Sequence, residues 1–236
     1  VIHEFYSALD LPLKLRLSLR DPKQPKNYLG DGKTWKEAEA SLRAVAERKG
    51  GKYVEAKGEA AFYGPKLDFI ATDSLGREWQ VATIQVDLNM PKRFNLAFTK
   101  TDGTKGQILI LHAAIMGAIE RLMAILIEHY AGSFPVWLAP EQAWVLPVSE
   151  KFNDFSKTIA SQLTGIRAVA RTENESLGKK IREGELQKIP YLLVVGEKEE
   201  QNNTISVRAR GTKKVREMQL RDFLNEITEE IRTKKS

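Results

Sequence analysis

Leucine alternates with charged residues near the start of the chain. Over residues 11–20, LPLKLRLSLR, the leucines take every second position and Lys14 and Arg16 lie between them. A period of two places the leucines on one face, which predicts a half-buried strand. Short strand-like runs follow between residues 52 and 112, namely YVEA, LDFIAT, EWQVATIQVDL and QILILH, with turn residues between them. Successive short strands joined by turns predict an antiparallel sheet.

Two segments of the first half carry apolar residues at helical spacing instead. Residues 34–49 predict an amphipathic helix with Thr34 as its N-cap and Gly50-Gly51 after its last turn. Residues 112–130 are apolar around much of the helical circumference. This second pattern predicts a largely buried helix.

The pattern changes after residue 130. A Gly- and Pro-rich linker is predicted over 131–141. Beyond the linker, strands and helices alternate, which predicts an α/β domain with a mixed sheet. The predicted fold class is therefore α+β followed by α/β. The predicted strands are AWVLPV, RAVAR, YLLVVG and TISVRAR, and the predicted helices cover 151–163, 176–187 and 220–232.

Composition narrows the class of protein. The chain has 236 residues, with 37 Lys and Arg against 31 Asp and Glu, a net charge of +6. This length suits two domains better than one. No apolar run approaches the ~18 residues of a membrane helix, so we expect a cytoplasmic protein without a membrane partner. Cysteine is absent, which excludes disulfides, thiol catalysis and thiolate metal ligands within this chain.

Several residues are candidates for chemistry. Three roles are open for His112, namely a metal ligand, a proton donor, or a structural histidine in the core or at a helix cap. Arg121 lies in an apolar helical pattern and needs an anionic partner, which is either a structural carboxylate or a phosphate. Lys66 follows a tight turn where it can meet a phosphate. Gln80 and Gln85 are five apart in one strand and should face opposite sides unless a bulge intervenes.

Three motifs in the first half resemble threonyl-tRNA synthetases. GEAAFYGPKLDF is similar to that family's G-E-G-A-F-Y-G-P-K-hydrophobic-D, and REWQVATIQVDLNMPKRF to its R-x-W-Q-C-G-T-x-Q-x-D-F-x-x-P-x-R-F. LHAAIMGAIERLM resembles its H-R-A-x-x-G-S-x-E-R segment, whose G-x-x-E-R core is the third signature motif of class II synthetases. The resemblance covers the chain from about residue 30 to its C-terminus.

The resemblance implies two domains. Residues 1–135 are expected to form the C-terminal part of a class II catalytic domain, with motif three near 112–125. Residues 136–236 are expected to form an α/β anticodon-binding domain. The implied function is ATP-dependent activation of threonine to threonyl-adenylate and its transfer to tRNA(Thr), by a protein that is a homodimer in its full-length form.

The same resemblance implies roles for individual residues. Arg121 falls on the motif-three arginine that grips the ATP γ-phosphate. The residues expected to bind ATP, which enters with Mg2+, are Lys66, Gln80, Thr83, Gly117 and Arg121. The residues expected to line the threonine pocket are Tyr63, Gln80 and Gln85. His112 falls on one of three zinc ligands, and the resemblance therefore favours a Zn2+ ligand over a core histidine. A metal that must coordinate the threonine hydroxyl rejects isosteric valine.

In the second half, ENESLGKKIRE resembles the family's R-N-E-x-x-G-x-K-I-R-E, and GEKEEQNNTISVRAR its G-D-K-E followed by V-x-V-R-x-R. Glu199 and Arg208 then fall on residues that read anticodon bases, with Asn174 and Arg182 nearby. Arginine and carboxylate side chains are suited to the exposed base edges of a single-stranded loop.

The sequence departs from the family pattern at several points. Val81-Ala82 replace Cys-Gly, Ala113 replaces Arg, and Ala118 replaces Ser. The first two class II motifs and the other two zinc ligands, a Cys and a His, are expected upstream of residue 1. One histidine does not make a defined zinc site, so this chain by itself is expected to be incomplete and inactive.

Two alternatives stay open on the sequence alone. One is a non-catalytic RNA-binding paralogue that kept the anticodon module, which the altered residues at 81, 82, 113 and 118 support. Retention of Lys66, His112 and Arg121 speaks against it. The other is a related class II enzyme of the prolyl type, which shares the anticodon domain.

Overall fold

The computed structural model describes residues 1–48 and 52–234 of the chain. It divides into two compact units, residues 1–126 and 127–236. The domain ranges expected from the sequence, 1–135 and 136–236, stay a prediction. Within the described residues, no helix is both long and apolar enough to cross a membrane.

The first unit contains most of the strands. Its strands are β1 Leu13–Leu19, β2 Tyr53–Lys57, β3 Lys66–Thr72, β4 Glu78–Asp87, β5 Ala97–Thr99, β6 Lys105–Gln107 and β7 Ile110–Ala114. Its helices are α1 Ile2–Ala8, α2 Gly32–Arg48 and α3 Met90–Arg93, and α4 Ile119–Tyr130 begins in this unit. One sheet has the order β2-β1-β3-β4-β7, and β5 and β6 form a separate two-stranded ribbon. All neighbours in the larger sheet are antiparallel except β1 and β2.

The two faces of this sheet differ in polarity. The register pairs Leu17 with Leu67 and Leu15 with Phe69, which places these apolar side chains on one face. Leu17 is fully buried, and burying such a side chain stabilises the fold by roughly 1.5–3 kcal/mol. The alternate positions of the same strands carry Arg16 and Asp68 on the opposite face. The apolar core therefore lies on one side of the sheet and a polar surface on the other.

The N-cap predicted for the first long helix is wrong. Helix α2 begins at Gly32, and the carboxylate of Asp31 accepts hydrogen bonds from the backbone N–H groups of Lys33 and Thr34 at 3.0 and 2.9 Å. Asp31 is therefore the capping residue, and Thr34 donates its hydroxyl to it. The predicted terminator, Gly50-Gly51, lies outside the described residues.

The helix predicted over 112–130 is also corrected. His112 lies in β7 opposite Gln85 of β4, and α4 begins only at Ile119. The prediction of a largely buried helix is wrong as well, because Ile119, Met123 and Ile127 are each more than half exposed. Strand pairing with β4 satisfies the backbone of 110–114, and Gly117 then turns the chain with φ +60°.

The second unit is a mixed α/β layer. Its strands are β8 Ala143–Pro147, β9 Ala168–Ala170, β10 Tyr191–Val195, β11 Thr204–Ala209 and β12 Val215–Gln219. Its helices are α5 Asn153–Gln162, α6 Leu177–Leu186, α7 Glu197–Asn202 and α8 Leu220–Thr233. The strand order is β12-β11-β10-β8-β9, with β8, β9 and β10 parallel and the remaining pairs antiparallel.

The core of this unit lies between the sheet and two helices. Val145, Leu193 and Ile205 from three strands are fully buried against Phe223 and Ile227 of α8. The predicted strands and helices of this half are confirmed within a few residues, and so is the predicted fold class. Helix α7 and strand β12 were not predicted, because each is too short to show a clear period.

A hydrogen-bonded carboxylate closes the β3–β4 hairpin. Asp73, with a side chain 1% exposed, accepts from Arg77 Nε at 2.6 Å and Trp79 Nε1 at 2.8 Å. Burial raises the pKa of this carboxyl, but the hydrogen bonds from Trp79 and Arg77 outweigh burial and lower the pKa to about 2. The ionised form therefore stabilises the hairpin.

We expect Asp73→Asn to lower the melting temperature at pH 7. The folded-state pKa lies below the value of about 4 in the unfolded chain, so the stabilisation is full above about pH 4 and is lost as the pH falls toward 2. The difference in melting temperature between wild type and variant should shrink over that window. Asp10→Asn is the control, because Asp10 is exposed. A difference that stays constant with pH would contradict the prediction.

Candidate functional site

The register of the first sheet brings distant polar residues into two rows on one face. One row is Lys66 of β3, Gln85 of β4 and His112 of β7. The next row is Arg16 of β1, Asp68 of β3 and Thr83 of β4. We call these residues, together with Ser18, Gln80 and Tyr63, the polar face.

A β-bulge adds Gln80 to this face. The β3–β4 register pairs Phe69 with Ala82 but Ile70 with Gln80, so Val81 is the extra residue. A β-bulge inserts one extra residue into a strand, so the side chains beyond it point to the opposite face from the one that regular alternation would give them. Gln80 and Gln85 therefore share one face despite their odd spacing, and the amide of Gln80 donates to Asp68 Oδ1 at 2.8 Å.

Asp68 is the centre of the polar face. Its side chain is fully buried and accepts hydrogen bonds from Ser18 Oγ at 2.6 Å and Thr83 Oγ1 at 2.8 Å. Lys66 Nζ lies 3.2 Å and Arg16 Nη2 3.5 Å from its second oxygen. Sequence reasoning did not select Asp68, although an acid inside the apolar run LDFIA is the kind of signal that marks a buried, paired carboxylate.

A second group of contacts surrounds the predicted threonine pocket. The hydroxyl of Tyr63 donates a short hydrogen bond to Gln85 Oε1, and the rings of Tyr63 and His112 meet edge to face at 5.8 Å. Burial and the nearby negative charge of Asp87 raise the pKa of Tyr63. Tyr63, Gln85 and His112 are thus neighbours in the first unit.

Gly64 allows the turn that carries Tyr63 to lie directly on β4. A Cβ atom on Gly64 would be 1.6 Å from the carbonyl oxygen of Val86. The backbone of the turn also bonds to this strand, with Val86 N–H donating to Pro65 O at 3.0 Å. Only glycine permits this approach.

His112 is held by a carboxylate. Its Nε2 lies 3.0 Å from Oδ2 of Asp87, a side chain that is 2% exposed. Burial raises the pKa of the Asp87 carboxyl, but hydrogen bonds from the Met90 N–H and His112 outweigh burial and hold the pKa below its usual value. A carboxylate that orients an imidazole is the usual support of a zinc-binding histidine.

His112 therefore fits one position of a zinc site and no more. Among the residues that the structure describes, no group of three His, Cys, Asp or Glu side chains could hold a metal. Nδ1 of His112 forms no hydrogen bond within the described chain, and half of the side chain is exposed. The imidazole is thus oriented and accessible, but its companions would have to come from elsewhere.

Arg121 lies in the first turn of α4, and its guanidinium reaches the bulge in β4. Its Nη2 donates to the carbonyl oxygen of Gln80 at 2.8 Å. A Cβ atom on Gly117 would lie 2.8 Å from that guanidinium and 3.1 Å from the Val81 carbonyl oxygen, and the φ of +60° also favours glycine there. Within the described ranges, no carboxylate lies within salt-bridge distance of Arg121. The sequence left a structural carboxylate or a phosphate as the partner of Arg121. Among the described residues, the structure shows no such carboxylate.

Tyr6 was missed by sequence reasoning. It is fully buried, and its hydroxyl lies 3.1 Å from Val81 O and 3.0 Å from Ile115 O. Burial, opposed by the charge of Arg121, raises the pKa of Tyr6 to about 12. The neutral hydroxyl therefore ties the bulge to the segment that leads to Gly117.

In the second unit, Glu199 of α7 bonds to Ser206 of β11, on the strand face that also carries Arg208. Glu199 accepts from Gly196 N–H at 3.0 Å and from Ser206 Oγ at 2.7 Å, and Arg208 is two residues beyond Ser206. Arg208 donates a short hydrogen bond to Glu185 of α6. Asn174 and Arg182 are exposed, and neither is hydrogen-bonded to Glu199 or Arg208 within the described residues.

Comparison with known proteins agrees with this arrangement. The family model "tRNA synthetase class II core domain (G, H, P, S and T)" matches residues 1–130, and "Anticodon binding domain" matches residues 142–230.

Named relatives point the same way. A threonine–tRNA ligase of Thermus thermophilus is 45% identical over 245 residues, covering 98% of this chain and 37% of the relative. That of Parabacteroides distasonis is 49% identical over 198 residues, covering 83% of this chain and 30% of the relative. The chain thus spans less than two fifths of the length of these relatives. The crystal structure of the RNA-binding domain of threonyl-tRNA synthetase from Cryptosporidium parvum Iowa II superposes with a TM-score of 0.90 at 33% identity, covering 97% of this chain and 57% of the other.

We expect Asp68→Asn to reduce the free energy of unfolding by about 2–4 kcal/mol, since the partly buried partners Lys66 and Arg16 lose their counter-charge. Urea unfolding of the chain measures this. Asp102→Asn serves as the control, because Asp102 is an exposed acid that hydrogen-bonds only within its own turn. Equal unfolding curves for Asp68→Asn and wild type would show that the polar face does not depend on this charge.

Proposed function

The chain belongs to the class II aminoacyl-tRNA synthetase family, as a homologue of the threonyl-tRNA synthetases, and on that basis we propose that it serves in joining threonine to tRNA(Thr). The reaction has two steps, formation of threonyl-adenylate from threonine and ATP, and transfer of the threonyl group to the tRNA. The observation that carries the proposal is the polar face, where side chains from three strands and a turn converge on one surface. We assign residues 1–135 to the catalytic domain and 136–236 to the anticodon-binding domain of a cytoplasmic, homodimeric enzyme.

In the first step, the threonine carboxylate attacks the α-phosphorus of ATP and pyrophosphate leaves. Charge accumulates on the phosphate oxygens, so fixed cations are the main aid that the protein supplies. Arg121 takes this role at the γ-phosphate. The contact with the Gln80 carbonyl orients its guanidinium and leaves its charge without a carboxylate partner in the described chain. ATP binds with Mg2+.

The nucleotide and threonine share the polar face. Lys66, Gln80 and Thr83 contact the nucleotide, and each is already oriented by Asp68. Gly117 leaves room beside Arg121. Tyr63, Gln80 and Gln85 line the threonine pocket, where the hydrogen bond between Tyr63 and Gln85 limits the rotamers of both side chains. Preorganised polar groups of this kind lower the cost of binding.

Zinc enters the proposal through His112. A zinc ion held there would supply a Lewis acid for the amino and hydroxyl groups of threonine and would so distinguish threonine from valine. The contribution of this chain is the imidazole of His112, which Asp87 orients. Asp87 also accepts from the N–H groups of Asn89 and Met90 at 2.9 Å, which keeps its own carboxylate in place.

The second unit recognises the anticodon loop. Glu199 and Arg208 read base edges, with Asn174 and Arg182 beside them. Glu199 is positioned by the Gly196 N–H and Ser206, which still leaves acceptor capacity on both oxygens. Arg208 is 29% exposed and its pairing with Glu185 lies at the surface. Such an exposed ion pair is worth at most about 1 kcal/mol, so RNA can displace Glu185.

The catalytic proposal is tested with the natural polypeptide that contains this sequence. We expect Arg121→Ala to reduce threonine-dependent ATP–pyrophosphate exchange by roughly 10²–10³-fold, because a fixed charge at the transition state is lost. Arg221→Ala is the matched control, since Arg221 is an exposed arginine on α8. Unchanged exchange in Arg121→Ala, or exchange that requires proline instead of threonine, would overturn the proposal.

The anticodon proposal is tested with this chain and a labelled tRNA(Thr) anticodon stem-loop. We expect Arg208→Ala to weaken binding by about tenfold or more, the scale of one base contact. Glu185→Gln should strengthen binding by roughly threefold, since it frees Arg208 and removes a charge that repels phosphate. Glu229→Gln, which breaks the exposed pair with Arg232, should leave affinity unchanged. Weaker binding by Glu185→Gln would show that Glu185 positions Arg208 and does not compete with RNA.

A further inference from the structure

The Gly- and Pro-rich segment 131–139, which we call the strap, directly follows helix α4. Its composition predicts a linker. In the structure the strap lies within the second unit, and the side chains of Val136 and Ala139 are buried. Val136 packs in the same core cluster as Ile159 and Phe223. Side-chain burial therefore anchors the strap in the second unit.

An arginine at the end of β11 binds the backbone of the strap. Arg210 donates through Nη2 to the carbonyl oxygens of Ser133 and Phe134 at 3.2 and 2.8 Å. Its Nη1 donates to the carbonyl oxygen of Lys188, just after α6, at 2.7 Å. Lys188 in turn donates a short hydrogen bond from Nζ to Ala131 O. Arg210 and Lys188 thus connect the first half of the strap to the ends of β11 and α6.

A second arginine binds the other half of the strap. Arg167, just before β9, donates to Ala139 O through Nε and Nη2 at 3.0 and 2.8 Å, and to Trp137 O through Nη2 at 3.0 Å. The buried amide of Gln142 donates to Val136 O at 2.8 Å, and its Oε1 accepts from the Arg167 N–H at 2.8 Å. Most carbonyl groups of the strap therefore receive a side-chain donor of the second unit.

The cations on the strap are engaged by carbonyl groups alone. Among the residues that the structure describes, Arg167, Lys188 and Arg210 have no carboxylate within salt-bridge distance. A guanidinium offers several N–H donors in a rigid plane, which suits two neighbouring carbonyl oxygens. Arg210 is also only two residues beyond Arg208. The strand that carries a proposed base-reading residue therefore ends in a residue that holds the strap.

We propose that the strap is a rigid part of the second unit, and that Arg167 and Arg210 are positioning residues for tRNA charging. The inference rests on the proposed function, in which one tRNA is bound by the second unit and charged at the site that includes Arg121 of α4. A flexible connection between two binding modules lowers the effective concentration at which the second module meets a ligand held by the first. A strap fixed to the second unit removes that flexibility from the segment between α4 and β8.

The first test measures hydrogen–deuterium exchange of residues 131–139 in the 236-residue chain. We expect Arg210→Lys to speed exchange of the strap roughly tenfold, the scale of one lost hydrogen bond from a charged donor. Lysine keeps the charge but lacks the planar fork that reaches two carbonyls. Arg167→Lys should have the same effect. Arg221→Lys is the matched control, because Arg221 is an exposed arginine of α8.

Two results of this measurement would overturn the proposal. One is unchanged exchange of the strap in both Arg167→Lys and Arg210→Lys, which would show that the arginines do not hold it. The other is an equal increase in β10, a core strand of the unit, which would show that the arginines support the whole unit and not the strap.

The second test uses the natural polypeptide that contains this sequence. We expect Arg210→Lys to raise the KM for tRNA(Thr) in charging roughly tenfold, because the effective concentration falls, while kcat at saturating tRNA changes less than about twofold. Threonine-dependent ATP–pyrophosphate exchange needs no tRNA and should stay unchanged. Affinity of the 236-residue chain for the anticodon stem-loop should also stay unchanged, because the charge is kept.

An unchanged KM for tRNA(Thr) beside faster exchange of the strap would show that its rigidity has no part in charging. Weaker binding of the anticodon stem-loop by Arg210→Lys would show that Arg210 contacts RNA itself. Either result would overturn the proposal. Failure of the proposed function has a different signature, because threonine-dependent ATP–pyrophosphate exchange would then be missing from the wild-type polypeptide as well.

Discussion

The buried carboxylate of Asp68 determines the arrangement of the polar face. An ionised carboxylate without solvent contact costs several kcal/mol unless donors and cations surround it. Those groups come from both neighbouring strands, with Ser18 on β1 and Thr83 and Gln80 on β4. A sheet that satisfies Asp68 therefore also aligns the side chains that we assign to the nucleotide and to threonine. Stability and site geometry depend on the same hydrogen bonds.

The bulge at Val81 extends this dependence to two helices. It turns Gln80 toward Asp68, and the carbonyl oxygens of Gln80 and Val81 receive Arg121 from α4 and Tyr6 from α1. A bulge interrupts regular pairing, which frees backbone groups for such contacts. One irregular position in β4 thus holds the proposed phosphate-binding arginine in place. The exposure of the remaining polar side chains then leaves the face open to a ligand.

The residues proposed to read the anticodon loop are held in place by partners of the same unit. Glu199 and Arg208 are both engaged within the second unit, by Ser206 and by Glu185 respectively. Internal partners hold a recognition residue in one rotamer and reduce the entropy lost on binding.

Much of the fold was predictable from the sequence because hydrophobic period is a local property. The leucine alternation defined β1, and the alternation of strands and helices defined the second unit. The resemblance predicted that Tyr63, Gln85, His112 and Arg121 belong to one site, which stays a prediction. The start of α4 was mispredicted, because apolar periodicity in 112–118 did not reveal that His112 pairs with Gln85 across the sheet. The role of Tyr6 was likewise invisible, since its hydroxyl meets Val81 75 residues away. The acid in LDFIA signalled a buried carboxylate, but not which residues of β1 and β4 would bond to Asp68. The sequence by itself determined most of the strands and helices, the family and the candidate residues. Only the tertiary structure decided the register, the bulge that places Gln80 beside Asp68, and the partner of each buried charge, because these depend on hydrogen bonds between strands that are distant along the chain.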